Sequence, residues 1–215
     1  MCFSAKASII SYGLGMVAST LLFLSKNKFN KHIGLFCLVF VQIQLAEFFM
    51  WSDQKCGLMN HYGSVFAHFN LMLQPLSIFI GAYLYQTTII PNNYLYFLIV
   101  LYSFVFIMPI YHHFFKNARR LCSKNISSSY LEWDFNIDKK WWFYQVYRFI
   151  YLISLIFSWL LLKDKTKGPL MFGLLLGSII MANLYSNNKM SYLNNWESIW
   201  CFIAVSIPTI MLLIK

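Results

Sequence analysis

The sequence predicts an all-α fold, a polytopic bundle of seven transmembrane helices, and three observations carry that prediction. Of its 215 residues, 59% are hydrophobic and only 11% are charged, which is more apolar surface than a water-soluble domain of this size can bury. The mean hydropathy is positive, at +0.57. Apolar runs of about 20 residues, long enough as helix to cross a hydrocarbon core of roughly 30 Å, recur from one end of the chain to the other. They are read at 7–25, 32–52, 63–86, 93–112, 141–162, 168–186 and 195–214, and together they make one transmembrane domain over 1–215.

The first span is expected to remain as a helix, because only Lys6 flanks it on the basic side and no small-residue cleavage site follows "LLFLSKNK". Ser8, Ser11, Gly15 and Ser19 form a small-residue face on it, suited to close helix packing. The second span ends in "QIQLAEFFMW" and places Glu47 inside an apolar run. The third carries His68, Asn70 and Gln74, then Pro75, where a kink is expected beside the polar residues. Pro109 in the fourth span and Pro208 in the seventh are of a kind that membrane helices tolerate. The fifth span opens on Trp141 and Trp142, aromatic residues typical of a membrane interface. In the sixth, "GLLLG" (Gly173 to Gly177) permits close helix approach. Loops are short except for 113–140, the only soluble segment long enough for structure of its own.

Lysine and arginine in short loops favour the cytosolic side of a membrane. Lys26, Lys28 and Lys31 follow the first span, and Lys163, Lys165 and Lys167 follow the fifth. With both loops cytosolic, the N-terminus is extracytosolic and Lys215 is cytosolic. The long loop then lies outside, although it holds Lys116, Arg119, Arg120, Lys124, Lys139 and Lys140 against Glu132, Asp134 and Asp138. Asn125-Ile126-Ser127 in that loop is an N-glycosylation sequon, usable on the outer side. Cys56 and Cys122 also fall outside, where an oxidising compartment lets them pair, with two unpaired thiols as the alternative. Cys37 and Cys201 lie within spans and read as small core residues.

A formal net charge of +10 raises nucleic-acid binding, but the basic residues are spread over loops at both faces without a basic, aromatic-lined stripe. The lipid bilayer, with its anionic headgroups, is the expected partner, and no nucleic acid is expected. Phosphate-cradling glycine loops, H-E-x-x-H and paired C-x-x-C motifs are missing from the sequence. The seventh span has no lysine before Lys215, so a Schiff base has no anchor and no retinal is expected. Seven helices alone do not make a rhodopsin or a receptor.

Only two acidic residues, Glu47 and Glu197, lie within spans, and ionisable groups there tend to face the bundle interior and serve a function. Gln44, Glu47 and Trp51 share one face of the second helix. His68, Asn70, Gln74, Arg148, Asn183 and Glu197 come from other helices at depths that fall in the same leaflet when the helices alternate in direction. These eight residues, Glu47, His68, Arg148, Gln44, Asn70, Gln74, Asn183 and Glu197, form the candidate ligand- or ion-binding set. The plainer reading of Glu47 is a buried pair with Arg148 or a neighbouring amide that locks the packing. Glu197 also reads as a first-turn partner of the helix dipole.

The opening "MCFSAKAS" resembles that of a family of small multi-pass membrane proteins beginning MCFSA, known from large DNA viruses and protists and without an established activity. The likeness continues through Gln44, Glu47, Trp51, Cys56, Asn60 and the "LQP" of Leu73 to Pro75. It covers roughly the first 85 residues well and the rest loosely. The resemblance implies that these residues and Cys2 form the family pattern, and it implies no mechanism.

Removal of Met1 would leave an amine and a thiol together on Cys2, a terminus able to chelate a metal or act as a nucleophile. Cys2, Glu47 and His68 are therefore a candidate metal set, with donors suited to zinc or copper, while lipidation, a disulfide or packing are the alternatives for Cys2. Three functions are consistent with these residues. The leading one is binding or translocating a small solute or ion at a polar site near the outer face. The others are a membrane-embedded enzyme, metal-dependent or using Cys2, that modifies lipids or acyl chains, and a structural or interaction protein. A polar cluster confined to one leaflet fits a site open to one side better than a complete pore.

Overall fold

A computed structural model describes residues 4–111, 120–125, 131–133, 142–187 and 196–214, with the backbone alone described at 105–111, 142–145, 147, 148, 185–187 and 196–198. The chain is mostly helical. The helices are α1 (Ala5–Leu24), α2 (Lys28–Ser52), α3 (Leu58–Tyr85), α4 (Asn92–Tyr111), α5 (Trp142–Phe157, continued by a 3-10 turn at Ser158–Leu161), α6 (Lys167–Asn187), α7 (Trp196–Ala204) and α8 (Ile207–Leu213). A short antiparallel pair, β1 (Lys124–Asn125) and β2 (Leu131–Glu132), sets Asn125 opposite Leu131. Among the described residues four helical stretches are long and apolar enough to cross a membrane: α1, α2, α3 and Lys167–Leu184 of α6.

Caps explain why two helices begin ahead of their apolar runs. Asn27 Oδ1 accepts from the Phe29 and Asn30 amides at 2.8 and 3.4 Å, so α2 starts within the lysine loop. Asp53 Oδ1 and Oδ2 accept from the Gly57 and Asn60 amides at 3.0 and 3.2 Å, which starts α3 at Leu58 rather than 63. Gln86 ends α3 in the left-handed region at φ 51°.

The prolines diverge. Pro75 is buried inside a continuous α3. Pro208, expected within an unbroken seventh span, instead follows a break: α7 stops at Ala204, whose carbonyl is the one a proline ring at 208 would strike in a helix, and α8 begins at Ile207.

The α2 helix is packed between α1 and α3. Close approach depends on glycines of these helices. A Cβ at Gly34 would overlap the Phe23 backbone, one at Gly63 would stand 3.0 Å from the Ala46 carbonyl oxygen, and one at Gly15 would stand 2.8 Å from Val41. Ser8, Gly15 and Ser19 are buried, as the small-residue face of α1 predicts. The expectation of close approach at "GLLLG" is not met among the described residues: no described heavy atom comes within 4 Å of a Cβ position at Gly173 or Gly177.

Buried aromatics tie α2 to the later helices. Trp159 meets Phe36 edge-on at 5.1 Å between centroids, and Trp200 meets Phe40 edge-on at 5.7 Å. The outward faces are apolar too. Ile10, Leu14, Val17 and Leu21 of α1, Phe149, Ile153 and Phe157 of α5, and Ile180, Met181 and Leu184 of α6 are all exposed, a pattern that suits lipid and not water.

Candidate polar site within the helix bundle

Polar side chains line the α2–α3 contact at several depths, and the antiparallel register of the two helices orders them. Asn60 bonds to the Met50 carbonyl, Gly63 abuts Ala46, Asn70 bonds to the Val39 carbonyl and His32 bonds to the Ile78 carbonyl. Glu47 therefore lies level with Gly63 and Ser64.

At the end bearing the α2–α3 turn, Asn60 grips the long loop. Its Nδ2 donates to the Ser123 carbonyl and its Oδ1 accepts from the Ser123 N–H, both at 2.8 Å. Ser64 and Ser123 share a hydroxyl hydrogen bond of 2.8 Å, and the Leu121 N–H donates to His61 Nδ1 at 3.1 Å. The Asn125 N–H donates to Gln54 Oε1 at 2.8 Å. Cys56 and Cys122 form a disulfide, with Cα atoms 5.2 Å apart. Asp53 anchors the turn: the Gly57 and Asn60 amides hold its carboxyl below the usual carboxylate range, against a small opposing effect of burial.

Glu47 lies about 4.5 Å below Met50 along the helix axis. It is fully buried, and Gln44 Nε2 donates to its Oε2 at 3.2 Å. Gln44 is equally buried and its Oε1 has no hydrogen-bond partner. Trp51, on the same face, has a buried Nε1 that is also without an acceptor.

A second chain occupies the middle of the bundle. The Tyr151 hydroxyl of α5 donates to Gln74 Oε1 at 2.6 Å, Gln74 Nε2 donates to Asn70 Oδ1 at 3.0 Å, and Asn70 Nδ2 donates to the Val39 carbonyl at 2.6 Å. This chain is closed, each amide being both donor and acceptor, and it links α5, α3 and α2.

The far end holds a buried histidine that no motif or spacing in the sequence marks. His32 is fully buried; its Nδ1 meets Thr87 Oγ1 at 2.7 Å and its Nε2 meets the Ile78 carbonyl at 2.8 Å. Since a carbonyl can only accept, Nε2 carries the proton and Nδ1 accepts from Thr87. The two lysine loops also meet here: Lys167 Nζ donates to Asn30 Oδ1 at 2.5 Å and Lys163 Nζ to the Gln86 carbonyl at 3.3 Å. Buried polar groups thus occur in both halves of the bundle and not, as alternating helix directions lead one to expect, in one leaflet alone.

Of the candidate set, Gln44 and Glu47 are in contact, and Asn70 and Gln74 are in contact. His68 is half-buried on α3, and Asn183 lies on the exposed side of α6, one residue from buried Ala182. Arg148 and Glu197 belong to α5 and α7 but their side chains, like all of Cys2, lie outside the described residues, so the Cys2–Glu47–His68 metal set does too. Among the described residues no three His, Cys, Asp or Glu side chains gather as a metal site requires. Asn60, Ser64, Asn70, Gln74 and Ser77, at steps of three, four or six, are the signal in the sequence that traces the α3 polar stripe. Comparison of the chain with protein-family models, with curated proteins and with solved structures finds no match.

Proposed function

We propose that this chain is an integral membrane protein of seven spans whose polar site around Glu47 binds or moves a small solute or ion. The N-terminus is extracytosolic and the C-terminus cytosolic, and the site opens toward the outer face. The observation that carries the reading is the Gln44–Glu47 pair: a wholly buried carboxylate beside an amide whose carbonyl oxygen is unsatisfied. A pair kept only to lock packing gains nothing from such an oxygen, which costs ~1–3 kcal/mol to leave unmade. A ligand that supplies the missing contact offsets that cost. The closed Tyr151–Gln74–Asn70 chain, by contrast, is what a packing lock looks like.

The orientation is supported by the two ends of the bundle. Lysine loops meet at one, and the Cys56–Cys122 disulfide and Asn125 lie at the other. Membership of the MCFSA proteins is part of the proposal and adds no activity to it.

Glu47→Gln and Glu47→Ala test the reading in purified protein, by thermal unfolding in detergent and by ion flux in proteoliposomes carrying pH- and potential-sensitive dyes. Glu47→Gln is expected to fold normally and to lose flux, while Glu47→Ala loses ~1–3 kcal/mol of stability by leaving the Gln44 amide unpaired. A stable Glu47→Gln protein with full flux overturns the proposal in favour of a packing role.

A further inference from the structure

We propose that the lysine end of the bundle binds the phosphate group of an anionic lipid, with the Lys167 ammonium at the centre of the site and Lys163 and Thr88 beside it. This site is separate from Glu47 and stands whether or not Glu47 binds a ligand.

A buried charge is the first observation. Lys167 is only 6% exposed, and lysine is almost never buried without a partner of opposite charge. The partner of its ammonium is neutral: Nζ donates to Asn30 Oδ1 at 2.5 Å. An ammonium carries three donors, and among the described residues no second acceptor takes one. The carboxylate of Asp164 caps α6 instead, its Oδ1 accepting from the Thr166 and Lys167 amides at 2.9 Å each. Residues 26–31 and 163–167 together hold Lys26, Lys28, Lys31, Lys163, Lys165 and Lys167 against Asp164 alone. This end of the protein lacks an anion.

An unused hydroxyl is the second observation. Thr88 is 5% exposed and its Oγ1 has no hydrogen-bond partner. Thr88 and Leu162 form an antiparallel bridge, flanked by bonds from the Lys163 N–H to the Thr87 carbonyl at 2.8 Å and from the Ile89 N–H to the Leu161 carbonyl at 2.9 Å. Directly opposite residues of such a pair project their side chains to the same side. On that side Leu162 packs against the start of α6, its Cβ 3.1 Å from a Cβ position at Gly168. Thr88 is therefore turned toward the helix that begins at Lys167. Lys163 Nζ reaches across the same segment to the Gln86 carbonyl at 3.3 Å. Two ammonium groups and a hydroxyl are a donor set suited to phosphate oxygens, which lysine binds as a point charge.

The surroundings decide where that phosphate comes from. Leu24, Leu84, Ile89 and Leu160, all exposed, adjoin the lysine-bearing and Thr88 segments in the chain. Apolar side chains next to basic ones mark the boundary between hydrocarbon and headgroups, and with this end cytosolic the adjoining leaflet is the one rich in anionic lipid. A lipid meets both surfaces at once, phosphate against the lysines and acyl chains against the leucines, whereas free phosphate meets only the first.

The test is thermal unfolding of the purified protein in a neutral detergent, titrated with phosphatidylglycerol, phosphatidylcholine or sodium phosphate at constant ionic strength. Wild type, Lys167→Met, Thr88→Val and Lys165→Met are compared, the last removing the same charge from an exposed position. Wild type and Lys165→Met are expected to show a saturable rise of several degrees with phosphatidylglycerol and little with the other two additives. Lys167→Met should bind phosphatidylglycerol at least about tenfold more weakly, and Thr88→Val several-fold more weakly. An equal phosphatidylglycerol response in Lys167→Met and Lys165→Met would assign the effect to diffuse charge and overturn the site. An equal rise with phosphatidylcholine, or no rise with any additive, also overturns it. A rise with sodium phosphate that matches the lipid overturns the lipid as the source. Thr88→Val removes only a hydroxyl that has no partner, so it folds; should Lys167→Met not fold, unchanged phosphatidylglycerol affinity in Thr88→Val overturns the proposal.

Discussion

Asn60 and Asp53 show how much of the α2–α3 turn depends on two side chains. Asn60 pairs with the Ser123 backbone as one strand pairs with another, and its amide also reaches the Met50 and Asp53 carbonyls at 3.1 and 3.0 Å. Asn60→Leu is expected to destabilise the protein by ~1–3 kcal/mol through the unsatisfied Ser123 groups, with lost hydrogen-exchange protection at the Ser123 amide as the local readout. Asp53 adds a pH dependence. Its folded-state carboxyl is held below the ordinary range, so its contribution to the turn is fully present above the unfolded carboxylate value of about 4 and is lost as the pH falls through the folded value. Protection of the Gly57 and Asn60 amides should therefore fall in acid, below about pH 4. In Asp53→Asn this acid step should vanish; an unchanged step would assign it to another carboxylate.

At the scale of the helices, the glycines divide into those that permit contact and those that do not. A methyl group at Gly34 meets the Phe23 backbone, which cannot step aside as a flexible side chain would. Gly34→Ala is expected to cost ~1–3 kcal/mol by overpacking the α1–α2 contact. Gly173→Ala and Gly177→Ala should be neutral, or stabilising by up to about 1 kcal/mol each, since alanine is the better helix former and no described atom stands in its way. Unfolding of the three variants in mixed detergents measures the contrast. Equal losses at all three sites would mean that α6 packs against a neighbour through "GLLLG". The prolines differ in outcome: the helix stops ahead of Pro208, whereas α3 runs on through Pro75, beside which Ser77 Oγ donates to the Gln74 carbonyl at 2.6 Å.

For the molecule as a whole, the two ends differ in chemistry, and that difference predicts its placement in a membrane. Glycosylation mapping and cysteine labelling should find Asn125 outside and Lys165 in the cytosol; cytosolic labelling at position 124 would reverse the orientation. The disulfide closes a loop between residues 66 positions apart and fastens the 120–125 segment over the α2–α3 turn. Cys122→Ser is expected to lose ~2–4 kcal/mol of stability and the mobility difference between reduced and non-reduced protein. Free thiols at both positions in wild type, read by mass spectrometry, would overturn the pairing.

What the amino-acid sequence determined by itself was the part carried by composition and by local repeats. Apolar runs and their polar ends marked the helices to within a few residues, and Glu47 stood out because a carboxylate in an apolar run is costly. The face shared by Gln44 and Glu47 followed from helical spacing alone. Tertiary structure decided which polar residues meet. Tyr151, three residues after Arg148, closes the Gln74–Asn70 chain, and His32, adjacent to a lysine loop, is fully buried and bonded to Thr87 and Ile78. It also decided that Asn183 faces outward, since a step of one residue turns a side chain by about 100° around a helix and only the neighbours say which direction is inside. Periodicity specifies a face; register between helices specifies a partner, and register depends on where glycines such as Gly34 and Gly63 let two backbones come together.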